Sequence, residues 1–78
     1  MNAFVLMNTE RGKLWKVAEK ALRIKGVKIA QAVTGQYDVI AYAEFTSIPE
    51  LSQIIDEVQL IDGVLRTTTA IAMAPRLS

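Results

Sequence analysis

Gly26-Val27-Lys28-Ile29-Ala30-Gln31-Ala32-Val33-Thr34-Gly35-Gln36-Tyr37-Asp38-Val39-Ile40-Ala41-Tyr42-Ala43-Glu44-Phe45 is the stretch on which the fold turns. After Gly26 the pattern takes a period of two, with Val27, Ile29, Gln31 and Val33 alternating with Lys28, Ala30, Ala32 and Thr34, as a strand requires. Thr34-Gly35-Gln36 supplies a turn, and Tyr37 to Phe45 follows with β-branched and aromatic residues. The stretch predicts a hairpin of a second and a third strand.

Upstream, Leu14, Val17, Ala18, Ala21 and Leu22 fall at the spacing of an amphipathic helix running from Lys13 and stopped by Gly26. Before it, Ala3-Phe4-Val5-Leu6-Met7 is short and wholly apolar, which suits a first strand buried on both faces. Downstream, Ser47-Ile48-Pro49-Glu50 combines an N-cap, an early-turn proline and a capping-box glutamate. Leu51, Ile54, Ile55 and Val58 then mark a second helix that ends before Asp62-Gly63. Val64 to Met73 reads as a fourth strand, and Ala74 to Ser78 as a short tail.

The resulting βαββαβ order predicts an α+β, ferredoxin-like sandwich: a four-stranded antiparallel sheet with strands one and three in the middle and both helices on one face. Residues 1–78 read as one domain with no linker. Strand three offers Tyr37, Val39, Ala41, Ala43 and Phe45 on one side and Ile40 and Tyr42 on the other, so neither side is polar enough to be the face that the helices leave bare to water. A second subunit is therefore expected to cover that face, in a sheet-to-sheet or edge-to-edge homodimer.

Composition narrows the chemistry. The 78 residues are 51% hydrophobic, with 9 Lys+Arg against 8 Asp+Glu and neither Cys nor His. Chains of this size bury only about 60–65% of their unfolded surface, which again favours association. Without Cys and His, a zinc finger, a disulfide framework, a thiol nucleophile and a Ser-His-Asp triad are excluded. The longest apolar run is five residues, far short of the roughly 20 that span a bilayer. No leader pattern opens the chain, so a cytoplasmic location without membrane contact is expected. Seven of the nine bases lie in residues 11–28 with one acid, whereas residues 29–65 hold six acids and no base. Helix one is thus basic and helix two acidic, which fits solvated faces or charges meeting between subunits better than a nucleic-acid surface.

Two local features carry recognition chemistry. Gly35-Gln36-Tyr37-Asp38 sets a glycine, an aromatic wall and a carboxylate at a hairpin tip, and Thr67 and Thr69 send two hydroxyls to one face of strand four. A zwitterionic amino acid needs acceptors for its ammonium and donors for its carboxylate. Asp38 would serve the first, the Gly35 N–H with Thr67 and Thr69 the second, and Tyr37 the side chain. Each also has a plain structural reading: turn glycine, turn-capping aspartate, strand-forming threonines. Trp15 and Tyr42 read as packing groups, and Arg66 as a salt-bridge partner for Asp62 or a carboxylate binder. No acid/base set, metal cluster or cofactor motif emerges, so no enzyme activity and no cofactor are expected.

Gly26-Val27, Thr34 to Ile40, Gly63-Val64 and Thr67-Thr68-Thr69, following an opening apolar strand, together resemble the RAM domain of Lrp/AsnC transcription regulators. The resemblance covers nearly the whole chain and looks like a stand-alone form, since almost nothing precedes the first strand where the family carries a helix-turn-helix. It implies sheet-to-sheet dimers in a dimeric α+β-barrel-like assembly, rings such as octamers, and amino-acid effectors held where dimers meet. By position it assigns Gly35, Tyr37 and Asp38 to the effector loop and Thr67 and Thr69 to the strand beside it. Thr68 stands where many relatives have Arg. Direct DNA binding is not implied, whereas co-assembly with a full-length regulator is. A purely structural oligomerisation module and, less favoured, a small dimeric α+β-barrel enzyme are the competing readings.

Overall fold

The computed structural model describes residues 1–73, so the expected tail from Ala74 lies outside the described residues. Its elements are β1 (Asn2–Thr9), α1 (Leu14–Leu22), β2 (Val27–Ala32), β3 (Val39–Glu44), α2 (Ile48–Gln59) and β4 (Val64–Ile71). The sheet order is β2-β3-β1-β4 with every pairing antiparallel, so the ferredoxin-like arrangement and its central strands are as the sequence predicts. Strand three is shorter than read, because Tyr37 and Asp38 belong to the loop, and strand four ends at Ile71 rather than Met73.

One side of the sheet is sealed by the helices. Ala3, Val5 and Met7 of β1 and Val39, Ala41 and Ala43 of β3 meet Val17, Ala21, Leu51, Ile54 and Val58 in a single buried cluster. Fully burying a side chain of the Val or Met class stabilises a fold by about 1.5–3 kcal/mol, so these positions hold the monomer together. The alternating residues of β1 are not buried within the chain. Phe4 is 41% exposed, and its ring lies 5.4 Å from that of Tyr42. The five-residue apolar run was thus two different surfaces, one for the helices and one for the bare face.

A bulge corrects the reading of β2. Val27 pairs with Ala43 but Ile29 already pairs with Tyr42, which leaves Lys28 as an extra residue. Val27 therefore joins Ala30 and Ala32 on the helix side, while Ile29 and Gln31 turn to the bare face. Strict alternation had placed Val27 with Ile29. Phe4, Ile29, Gln31, Val33, Ile40 and Tyr42 together line a shallow apolar hollow of 350 Å³ on that face.

The start of α2 is capped as the sequence predicts except in the partner of its glutamate. Ser47 Oγ accepts from the Glu50 N–H at 3.4 Å, but the Glu50 carboxylate reaches back to the Thr46 N–H and hydroxyl instead of the Ser47 amide. Asp62 is taken by Lys13, 3.1 Å away, and so does not pair with Arg66. The Thr46 hydroxyl hydrogen bond holds the Glu50 carboxyl below its ordinary value, and the hydrogen bond from Lys13 does the same for Asp62 while raising the Lys13 ammonium. A lowered carboxyl stabilises the fold above its unfolded pKa and ceases to do so as pH falls through its folded one; a raised lysine stabilises below its unfolded pKa and ceases as pH climbs through its folded one. With no His or Cys to titrate between, the thermal midpoint should stay level from about pH 5 to 9 and fall only outside that window. Melting curves across that range check this, and a step near neutrality would contradict it.

Candidate functional site

The loop from Val33 to Asp38 joins β2 to β3 and is stitched to the end of β1. Asp38 N–H donates to the Met7 carbonyl at 2.9 Å, and Asp38 C=O accepts from Val33 N–H at 2.9 Å. The Asp38 carboxylate accepts from the Thr9 N–H at 2.8 Å through Oδ2, and the Asn8 amide donates to the Gln36 carbonyl at 2.9 Å. Asn8 and Thr9 are therefore part of this loop's architecture, and sequence reasoning missed both. The signal that could have found them is their position as the first polar residues after the apolar run, opposite a loop with unpaired backbone groups.

Between those ties the tip is open. Gly35 has φ +114 and no atom within 4 Å of where a Cβ would stand, so its backbone is bare to an approaching molecule. Tyr37 and Asp38 are partly buried, whereas Gly35 and Gln36 are exposed. One carboxylate oxygen of Asp38 is fixed by the β1 backbone, and the other accepts no protein hydrogen bond among the described residues. A carboxylate held by one oxygen is oriented in advance to accept a cationic donor with the other.

Thr67 and Thr69 pair with Met7 and Val5, so both hydroxyls do lie on one face, the helix side of the sheet. The Thr67 hydroxyl accepts from Gln59 Nε2 of α2 at 3.2 Å. Thr68 and Arg66 pair with Leu6 and Asn8 on the opposite side. Strand β1 runs between β3 and β4, so in one chain the loop and the threonine pair stand two strand spacings, roughly 10 Å, apart. Gly35, Tyr37 and Asp38 are thus brought together, and Thr67 and Thr69 form a separate group. At the other end of the molecule an open cleft of 780 Å³ is bordered by Lys25, Gly26, Lys28, Glu44, Glu50 and Glu57, and none of the five candidate residues touches it.

The Lrp/AsnC ligand binding domain matches residues 2–76. The chain belongs to that family. A hypothetical protein of Pyrococcus horikoshii, PHS023, shares 37% identity with a TM-score of 0.85, covering 95% of this chain and 90% of that one. Escherichia coli AsnC has the same fold, with a TM-score of 0.85 at 22% identity, this chain covering 53% of it. Among curated relatives, the HTH-type transcriptional regulator FL11 of Pyrococcus furiosus is 31% identical over 91% of this chain and 47% of its own length. The chain spans less than half the length of the HTH-type regulators it matches. Homocitrate synthase of Sulfolobus acidocaldarius is 30% identical over 57 residues, which is 12% of that enzyme. The curated relatives are in the main HTH-type transcriptional regulators, and what this chain matches is the family's ligand binding domain. Among the described residues no helix is long and apolar enough to cross a membrane.

Proposed function

We propose that this Lrp/AsnC domain is a non-enzymatic, amino-acid-responsive assembly module that works in the cytoplasm. Two subunits pack through the bare sheet face, dimers join into a larger ring such as an octamer, and an amino acid binds where dimers meet. Because β1 separates the two groups within a chain, the loop residues Gly35, Tyr37 and Asp38 of one subunit would complete the site with Thr67 and Thr69 of another. The ligand acts by linkage: it favours the arrangement of subunits that forms its site, and no bond is made or broken. Transcription would be influenced through co-assembly with a full-length regulator that shares the dimer face, since the net charge of +1 gives no overall field to draw in DNA.

The observation that carries this reading is Asp38, with one oxygen anchored on Thr9 and the other available. It is supported by a fold neighbour at 20% identity, the Neisseria meningitidis regulator NMB0573, whose solved structure is a complex with L-Met. Calorimetric titration with each common amino acid, run beside light scattering, tests the proposal. Heat and a change of mass with at least one of them are expected, and neither with any would remove the ligand claim.

Asp38→Asn sharpens the test. The amide oxygen still accepts from the Thr9 N–H, so the loop keeps its shape, but the charge that faces an ammonium is gone. A hydrogen bond to a charged group contributes about 1.5–3 kcal/mol, so amino-acid affinity should fall roughly 10- to 100-fold with little change in melting temperature. Assembly indifferent to both the substitution and every amino acid would indicate an oligomerisation module without an effector.

A further inference from the structure

Two partners were open to Arg66 from the sequence, Asp62 or a carboxylate from outside the chain, and the structure removes the first. Lys13 holds both acids at the start of β4, Asp62 at 3.1 Å and Glu10, whose N–H donates to the Gly63 carbonyl, at 3.6 Å. Among the described residues no ion pair or side-chain hydrogen bond engages the Arg66 guanidinium, and the residue is exposed. The four strands carry one other cation, Lys28, and that residue borders the cleft at the opposite end of the molecule. Arg66 is therefore the single strand cation at the end of the sheet where the Val33 to Asp38 loop lies.

Register places it beside that loop. Arg66 stands directly opposite Asn8 on the side of the sheet away from the helices, with the two Cβ atoms of such a pair about 5 Å apart. The Asn8 side chain in turn donates to the Gln36 carbonyl at 2.9 Å, so one short amide separates the arginine from the loop tip. Thr9, the next residue, anchors one oxygen of Asp38. The Asn8-Thr9 end of β1 is thus flanked by Arg66 from β4 and by Asp38 from the β3 side, an oriented anion and an unpaired cation that do not meet each other. Their backbones are two strand spacings, roughly 10 Å, apart, and the two side chains close most of that gap.

We propose that Arg66 is the α-carboxylate clamp of the loop in its own chain. The ligand lies over the Asn8-Thr9 end of β1, with its ammonium on the oxygen of Asp38 that Thr9 leaves available and its α-carboxylate on the Arg66 fork. The inference deepens the amino-acid reading above and rests on it. The planar guanidinium offers paired N–H donors that match the two oxygens of one carboxylate, which the point charge of a lysine does not. The class recognised is then an α-amino acid with both groups free, whereas an α-amide offers only its ammonium. Neither Asn8 nor Arg66 lines the apolar hollow, so a second subunit seated there leaves this end of the sheet uncovered.

The test is calorimetric titration of the full chain with each common amino acid and, for the one bound most tightly, with its α-carboxamide. The parent should prefer the amino acid by tenfold or more. Arg66→Gln should weaken the amino acid roughly 10- to 100-fold and leave the carboxamide unchanged, which erases the preference. Arg66→Lys should retain part of it. Circular dichroism and the melting temperature should not move in either variant, because the side chain is exposed. An Arg66→Gln chain that binds the amino acid as the parent does, or that loses amino acid and carboxamide equally, would overturn the clamp and leave the amino-acid reading standing. A parent that binds none of the amino acids would overturn that reading and the clamp with it.

Discussion

Replacing Ile40 with lysine should abolish the proposed sheet-face dimer, giving a chain that sediments as a single subunit at concentrations where the parent associates. Ile40 lies beside Tyr42 and Phe4 in the apolar hollow of the bare face and makes no part of the helix-side core. An ammonium there would be pressed against the apolar Phe4 and Tyr42, with Asp38, two residues earlier, the nearest acid along the chain. In a two-fold interface the substitution is present on both sides, so the lost apolar burial and the cost of desolvating an unpaired charge are each counted twice. Together these amount to at least about 4 kcal/mol, or roughly a thousandfold in dimer affinity. Sedimentation at micromolar concentration checks the mass and circular dichroism checks that the subunit still folds. A dimer of undiminished affinity would place the interface elsewhere.

Gly26→Ala should be the most damaging glycine substitution. Gly26 has φ +98, a conformation that side chains rarely adopt, and an added Cβ would stand 2.8 Å from Ile54 Cδ1 and 3.0 Å from the Glu44 carbonyl oxygen. The Gly26 carbonyl also accepts from the Glu44 N–H at 2.8 Å, so the two backbones cannot separate without losing a hydrogen bond. Ile54 is buried and has little room to yield. Backbone strain and overpacking together should cost about 2–5 kcal/mol, a large share of the stability of a domain this small. Gly35→Ala is the control, since it meets the same backbone strain with open space around it. Denaturant titration should rank Gly26→Ala clearly below Gly35→Ala; equal losses would show that the close approach to Glu44 and Ile54 does not matter.

Those two sites also mark where sequence reading succeeds and where it stops. Gly26 was legible as the point where the hydrophobic period changes, although α1 itself already ends at Leu22 with Arg23 as its C-cap, and the contact of Gly26 with Ile54 joins positions far apart in the chain. What covers the second face of β1 is hidden from the sequence for a related reason. An unbroken apolar run looks the same whether both faces are covered by the chain or one waits for a partner, and only the placement of both helices on one side separates Val5 from Phe4. Lys28 defeated strict alternation because a bulge leaves no periodic trace of its own.

The candidate site divides in the same way. Gly35, Tyr37 and Asp38 are neighbours in sequence, and the hairpin that the local pattern predicts is enough to hold them in one loop. Asn8 and Thr9 support that loop from another strand, and their part in it emerged only with the β1–β3 register. Local propensity and period are properties of short windows, so the amino-acid sequence by itself determined the order of elements, the ferredoxin-like class and the candidate loop. Which face of each strand is covered, which backbone groups anchor Asp38, and the separation of Thr67 and Thr69 from it depend on strand order and register. Those are set by contacts between distant segments, and only the tertiary structure decided them.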